Sequence, residues 1–349
     1  MKPKPVLTLV LTLLIGNFYA QDFFNDYKDD GNTYLKYYAA PIFETNLFNF
    51  SDGWSHQAKT LKPGKFSFEI TANYTFIPEE KQTFVFDPSE YDYVEVIDAS
   101  NNPVSGSVEL PTAFGPENTP YKLRIKAPAD VPNTYNQVII DALPGGKDKL
   151  EEVLNGFPVG MPGAMAQVRV GLPLSFEVAV RFFPNSTFGT TQVNFLGVGL
   201  KHDIGQYLFK NEKLHLAALA SFTSGNVQAQ APNTSDLEAR FKINTYNLQA
   251  FVSYDWKFFS IYGSTGITQG SSRLQVTGEV TYDYDVVDSG GTHLTTLSET
   301  VKDPLDLKHS LFTVKSSVGM LLNLKVLHIF VQYNLQKYSG VHAGIGINL

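Results

Sequence analysis

The sequence predicts an all-β fold, an antiparallel transmembrane β-barrel of about ten strands with a long insertion after the first strand. Three observations lead to this prediction. Apolar and polar residues alternate with a period of two in many segments, as in strands with two different faces. The chain begins with a segment typical of export and ends on a two-faced ribbon, residues 341–349. Between them, no stretch is apolar for long enough to form a transmembrane helix.

The first residues are typical of a secretory signal peptide, expected over residues 1–20. Lys2 and Lys4 precede an apolar stretch, and Ala20 is a plausible cleavage residue. The absence of cysteine excludes a lipoprotein anchor and a disulfide framework. Residues 21–63 carry many aromatic side chains without a strand pattern. We expect them to form a periplasmic extension or to pack inside the barrel lumen.

The barrel is expected to occupy residues 64–349. Its clearest strand, 66–77, has close to the 9–11 residues that a tilted membrane strand needs. Short turns near Pro173, 255–258 and Lys325 alternate with long connections at 185–192, 223–240 and 282–306, an asymmetry typical of outer-membrane barrels. The even strand number suits a chain with both termini in the periplasm. The other strands are predicted near 166–172, 176–182, 196–201, 214–222, 246–256, 259–267, 312–324, 327–335 and 341–349. The strand at 259–267 is expected to continue outward through Leu274, Val276 and Val280.

The insertion, residues 78–163, follows the first strand and is rich in Pro, Asn and Asp. It is far longer than an ordinary connection, so it is expected to be an external insertion or lid. Strand-like pieces occur at 83–86, 93–97 and 121–126, and residues 147–154 could form a short helix.

Charged residues fall on the predicted lumen face of the strands. A Lys or Arg on the lipid face near the midplane would cost roughly 2–4 kcal/mol, so this agreement supports the assigned phase. The set can be interpreted as a charged constriction that selects solutes, or as a structural network that fills a narrow barrel. Its members are Glu69, Arg169, Glu177, Arg181, Lys201, Asp255 and Lys315.

The last strand carries a candidate assembly signal. The spacing of His342, Gly344, Ile347 and Leu349 is similar to the C-terminal signal of Gram-negative outer-membrane barrels, although the usual last residue is aromatic. The expected partners are therefore the barrel assembly machinery and outer-membrane lipid.

Three internal motifs extend this likeness over most of the chain: Asn49 to Trp54, the hairpin 167–184, and the run Gly197 to Ile204. With these motifs the chain resembles an uncharacterised family of Gram-negative outer-membrane barrels, a domain of unknown function. The resemblance implies an outer-membrane barrel. It implies no activity and no catalytic residue.

The sequence gives little support to nucleic-acid binding, acid–base catalysis or metal binding. A net charge of −7 argues against nucleic acid as a partner. The adjacent Lys201, His202 and Asp203 could suggest acid–base work, but a turn or interface role is the simpler interpretation. The acidic stretch 282–288 could hold Ca²⁺ but is better explained as a solvated hairpin tip. We expect no metal site, no cofactor and no catalytic residue.

The predicted function is therefore passive. A porin-like passage or binding of a small solute or lipid-like ligand, or a structural role, fits the pattern best. Two alternatives stay open: a surface adhesin or receptor that uses residues 78–163, and a membrane enzyme that acts on lipids. The sequence favours a protein that is not an enzyme.

Overall fold

A computed structural model describes residues 28–126, 138–188, 190–230, 237–287 and 293–349. The predicted signal peptide lies outside these residues. No helix in the described ranges is long and apolar enough to cross a membrane. The elements in chain order are α1 (Lys28–Ser51), β1 (Phe66–Phe76), β2 (Thr83–Phe86), β3 (Val94–Ile97), β4 (Val108–Pro111), β5 (Lys122–Ile125), β6 (Val138–Asp141), α2 (Lys147–Leu154), β7 (Gly160–Leu172), β8 (Phe176–Phe188), β9 (Thr191–Asp203), α3 (Gly205–Leu208), β10 (Leu214–Gln230), β11 (Glu238–Asp255), β12 (Phe259–Thr277), β13 (Glu279–Val287), β14 (His293–Lys302), β15 (Leu305–Leu324), β16 (Leu327–Leu335) and β17 (Gly340–Asn348).

Ten strands form a closed antiparallel barrel in the order β1, β17, β16, β15, β12, β11, β10, β9, β8, β7. The predicted fold class is confirmed. The seam that closes the barrel joins the first strand to the last, with Ser67 opposite Asn348 and Thr75 opposite Gly340. Closure pairs both edges of the sheet, which a strand structure needs in lipid.

The burial pattern of the barrel strands is the reverse of that in a soluble sheet. In β1 the apolar Phe66, Phe68 and Ile70 are exposed, whereas Ser67 and Glu69 are fully buried. The outer face is therefore apolar and the inner face polar, as in a barrel surrounded by hydrocarbon. Aromatic side chains surround the short turn between β11 and β12, where Tyr254 and Trp256 have ring centroids 4.8 Å apart.

One end of the barrel carries the short turns at 173–175, 256–258 and 325–326, together with the chain's last residue. We call it the short-turn end, and the opposite end the cap end. The connection 204–213, also at the short-turn end, contains the single-turn helix α3.

Strands β10, β11 and β15 are much longer than predicted, with 17, 18 and 20 residues, whereas β12, predicted to continue through Val280, has 19 residues and ends at Thr277. Their apolar residues change face part of the way along. In β11, Phe241 and Ile243 point inward, whereas Leu248 and Val252 point outward, and the pairing with β12 continues without a bulge. The change falls at one level of the wall, because Tyr246 lies opposite Gln269 and Gln269 lies opposite Phe312.

These extensions correct the predicted connections. Residues 185–192 are mostly strand, because β8 runs to Phe188 and β9 begins at Thr191. Much of 223–240 is also strand, and the segment 282–306 is dominated by the hairpin β13–β14. The acidic stretch 282–288 begins in β13, and its last residue lies outside the described part of the chain.

The predicted insertion folds as a cap made of β2–β6 and α2. Its strands form one sheet of β2 and β4 and another of β3, β5 and β6. The segments predicted at 83–86 and 147–154 are β2 and α2. Strand β7 begins at Gly160, so the barrel resumes three residues before the predicted end of the insertion.

Helix α1 joins the cap to the barrel. Tyr34, Tyr38 and Phe43 pack in one apolar core with Phe86 of the cap and Leu274 of the barrel. At the helix start, the Asp30 carboxylate accepts hydrogen bonds from three consecutive cap amides, those of residues 92, 93 and 94, at 3.1, 2.8 and 3.0 Å. Burial raises the pKa of Tyr38 to about 12, so its hydroxyl remains a neutral donor to the Pro144 carbonyl, 2.8 Å away.

Candidate functional site

Residues 52–63 pass through the barrel lumen from the end of α1 to the start of β1. Near the cap end, the Asp52 carboxylate lies 3.1 Å from Lys315 Nζ. Farther along, the Ala58 amide donates to Ser253 Oγ at 3.1 Å. At the short-turn end, the Leu61 amide donates to Glu177 Oε2 at 2.9 Å, and the Gly64 amide donates to the Gly171 carbonyl at the same distance. With α1, this segment forms a lumenal plug, which we define as residues 28–63.

A buried network of ionisable side chains links β1, β7, β8, β9 and β16. Arg169 Nε donates to Glu69 Oε1 at 2.6 Å, and Arg169 Nη1 lies 3.3 Å from Glu177 Oε1. Lys201 Nζ lies 3.0 Å from the same Glu177 oxygen. His328 Nε2 contacts Glu69 Oε1 at 3.1 Å. All five side chains are at most 2 % exposed, so each charge depends on its protein partners for solvation.

The cations of the barrel wall also bind carbonyl oxygens of the plug. Lys201 Nζ donates to Ser55 Oγ and to the carbonyls of Gln57 and Lys59, at 3.0, 3.2 and 3.1 Å. Arg181 Nη1 donates to the Asp52 carbonyl at 2.6 Å. A segment without regular hydrogen bonding is thereby satisfied inside the barrel, since its carbonyls need donors once water is excluded.

Trp54 is the largest fully buried side chain of the plug. The guanidinium of Arg181 lies over its ring, 4.1 Å from the centroid. Two glycines of β9 leave room for the indole: a Cβ on Gly199 would lie 2.8 Å from Trp54 Cε3, and one on Gly197 would lie 3.0 Å from Cη2. The surface of β9 at Gly197 and Gly199 is therefore complementary in shape to the Trp54 side chain.

Six of the seven predicted lumen residues are buried around the plug: Glu69, Arg169, Glu177, Arg181, Lys201 and Lys315. Asp255 lies at the rim of the short-turn end, 3.7 Å from His215 Nε2 and 4.0 Å from Lys59 Nζ. Residues 49–54 were recognised as a family motif, but no lumen contact was predicted for Asp52, Trp54 or Ser55, because residues 21–63 show no periodicity. The sequence signal for the plug was the pair Gly197 and Gly199, small residues that alternate with Leu196 and Val198 and therefore lie on the inner face of β9.

The adjacent His202 and Asp203 point to opposite faces of β9. His202 stacks on Phe176 with centroids 4.0 Å apart, whereas Asp203 contacts His215 Nδ1 at 2.7 Å inside the rim. The two side chains therefore do not form an acid–base pair.

Three residues of the lumen, His56, Glu69 and His328, have ligand atoms close enough to hold a metal ion. Arg169 Nη2 contacts two of them, with His56 Nε2 at 2.9 Å and Glu69 Oε1 in direct ion pairing. A metal ion there would face this guanidinium at close range, which opposes binding because like charges repel strongly in a buried site.

The residues of the candidate assembly signal lie on both faces of β17. His342 points inward and is buried, and Ile347 and Leu349 are exposed on the outer face. A Cβ on Gly344 would lie 2.5 Å from Phe330 Cζ. Packing inside the barrel therefore explains the glycine by itself, while Leu349 closes the seam by donating from its amide to the Phe66 carbonyl at 2.8 Å.

Together, the fold and the lumen define a ten-stranded barrel whose interior is occupied by the chain's own N-terminal segment. The chain belongs to the family of unknown function DUF6588, whose sequence profile matches residues 1–349. The three internal motifs that carry the predicted resemblance meet in this lumen, through Trp54, Arg181 and Gly199.

Similar solved structures come from several Gram-negative bacteria. The translocator domain of autotransporter NalP from Neisseria meningitidis is 9% identical, with a TM-score of 0.28, over 88% of this chain and 95% of that one. The outer membrane protease OmpT from Escherichia coli is 10% identical, with a TM-score of 0.28, over 84% and 97%. The attachment invasion locus protein Ail of Yersinia pestis is 9% identical, with a TM-score of 0.25, over 82% and 99%. No curated protein matches the chain.

Proposed function

We propose that the protein resides in the outer membrane as a barrel closed to free diffusion, with the cap at the cell surface. The observation that carries the proposal is the plug: wall cations of the lumen are bound to carbonyls of residues 51–59. A solute crossing the lumen would have to break these contacts. Of the two interpretations of the lumen charges, we therefore favour the structural network over the selective constriction.

The apolar outer face and the closed seam support the membrane location. The short turns and Leu349 lie at one end and the cap at the other, the asymmetry of outer-membrane barrels with short periplasmic turns. In this location the barrel assembly machinery would recognise the terminal strand, and outer-membrane lipid would surround the apolar face.

Single-channel recording in a planar bilayer tests the closed lumen. The refolded protein, with folding checked by heat-modifiable gel migration, is expected to show no steady conductance. Trp54→Ala removes the indole that fills the space between Arg181 and Gly199, and it is expected to give intermittent openings. Steady, ion-selective steps from the wild type would overturn the closed barrel and restore the porin-like interpretation.

A second candidate is a surface receptor or adhesin that works through the cap. A specific observation favours it: the cap has its own sheets, and the Asp30 carboxylate fixes it to the plug through three amides. Cells producing the wild type would be compared in surface-attachment assays with cells producing a barrel in which residues 79–154 are replaced by a short Gly-Ser linker. Equal attachment by both, with the barrel folded, would remove this candidate. That the protein is not an enzyme stays a prediction.

A further inference from the structure

The outer wall carries a row of three basic side chains on adjacent strands. Lys242 of β11 lies directly opposite Arg273 of β12, and Arg273 lies opposite Lys308 of β15. All three project from the outer face, and the acidic residue beside them, Asp306, pairs with Arg273. A net positive patch of this kind stands out on a chain whose net charge is −7.

The row has a fixed height above the apolar band. On these strands the apolar residues change face at Tyr246, Gln269 and Phe312, which lie side by side at one level. On each strand, the basic residue lies four positions nearer the cap than this level. With strands tilted by roughly 40°, four residues correspond to about 10 Å along the barrel axis. Aromatic side chains favour the membrane interface, so the row lies where charged lipid headgroups begin.

The wall between these two levels is concave. A depression of about 360 Å³ is lined by Lys242, Asn244, Ser271, Arg273, Lys308 and Ser310, which supply hydroxyl and amide groups beside the cations. Asp306 binds Arg273 Nε at 2.6 Å and also pairs with Nη2. Within the described ranges, Lys242 and Lys308 have no ion-pair partner, so their charges are available to an anion.

We propose that this depression binds the phosphate groups of outer-leaflet lipids. The proposal rests on the outer-membrane location proposed above. Lysine binds phosphate as a point charge and arginine through directed hydrogen bonds, and clusters of both recognise lipid headgroups at a membrane surface. A phosphorylated lipid suits the site because its acyl chains would lie along the apolar band below, with its phosphate at the level of the basic row.

The test measures lipid retention by native mass spectrometry of the refolded protein in nonionic detergent. The probes are lipid A, lipid A stripped of its phosphates, and inorganic phosphate. The wild type is expected to retain lipid A about tenfold or more over the stripped form, and Lys242→Gln with Lys308→Gln should abolish that preference. This double variant leaves the Arg273 and Asp306 pair intact.

The matched control is Lys210→Gln with Lys213→Gln, which removes two exposed lysines at the short-turn end and should keep the preference. Equal retention of both lipids by the folded wild type would overturn the lipid site, and so would an equal loss in the control. Full competition by inorganic phosphate would assign the site to free phosphate and overturn its lipid source. Heat-modifiable migration and bilayer recording report separately on the proposed closed barrel.

Discussion

The α-carbon of Gly53 lies against the imidazole ring of His342, where the plug meets the terminal strand. Gly53 has φ +70°, and a Cβ placed on it would overlap the His342 ring. Both features require glycine, one by backbone conformation and the other by contact. The plug and the last strand are thus fitted to each other inside the barrel.

Gly53→Ala is expected to destabilise the folded barrel by more than the cost of placing alanine in the left-handed backbone conformation. The conformation costs about 1 kcal/mol, and the overlap with His342 should add roughly 1–3 kcal/mol. The measurement is the urea midpoint of the refolded protein in lipid vesicles.

Gly64→Ala is the matched control, because Gly64 has φ +77° and no atom within 4 Å of its would-be Cβ. It should show the conformational cost only. Adding His342→Ala to Gly53→Ala should recover part of the loss. If Gly53→Ala and Gly64→Ala were equally stable, the contact with His342 would be unimportant.

The two tryptophans should report on opposite sides of the barrel wall. Trp54 is 1 % exposed inside the lumen, and Trp256 is 49 % exposed beside a short turn. In the Trp256→Phe variant, we expect blue-shifted emission that neither aqueous acrylamide nor brominated lipid quenches. In Trp54→Phe, brominated lipid should quench the remaining indole. Strong acrylamide quenching of Trp54 would show that the plug is not seated in the lumen.

Glu69→Gln is expected to cost about 3–5 kcal/mol, because it removes a buried charge that Arg169 needs. Glutamine keeps the size of the side chain but not its charge, so the loss reports on electrostatics. The unfolding free energy in urea is the measurement. Glu238→Gln, at an exposed pair with Arg240, should cost at most about 1 kcal/mol. Similar values for both variants would contradict the assigned importance of the network.

The start of α1 should be reachable from outside the cell, since Asp30 lies in contact with the cap. The chain is free of cysteine, so a single introduced thiol can be labelled selectively. In intact cells, an impermeant maleimide should label Asp29→Cys as readily as Lys302→Cys at the cap end. Glu212→Cys at the short-turn end should react only after permeabilisation.

Two failures of the labelling experiment have different meanings. If Lys302→Cys reacts in intact cells and Asp29→Cys does not, α1 does not reach the cap in the membrane. If Glu212→Cys alone reacts, the barrel has the opposite orientation.

The barrel could be predicted because its signal is local. The alternation of apolar and polar residues along a strand such as β1 can be recognised from neighbouring residues alone. The cap elements β2 and α2 were also predicted with the correct bounds. Helix α1 left no such signal. It is buried on nearly all sides and contains Pro41, so it lacks the apolar stripe by which a surface helix is recognised.

The lengths of β10, β11 and β15 were missed for a different reason. In β11 the apolar phase changes between Ile243 and Tyr246, and a period search stops where the phase changes. Leu274 and Val276 of β12 were predicted as strand, but they point into the barrel instead of toward lipid, and Leu274 packs in one core with Tyr38 and Phe43 of α1. Only the position of the plug explains why an inner face becomes apolar at this level.

In four strands of this wall, β10, β11, β12 and β15, the outer face is apolar along one half of the strand and polar along the other. Below the level of Tyr246 they are built for hydrocarbon, and above it their outward side chains, such as Lys242 and Gln275, are those of a water-soluble sheet. A detergent belt would therefore cover only the lower half of the molecule. The upper half should present an ordinary hydrophilic surface, large enough to form crystal lattice contacts or to receive an antibody fragment without disturbing the micelle.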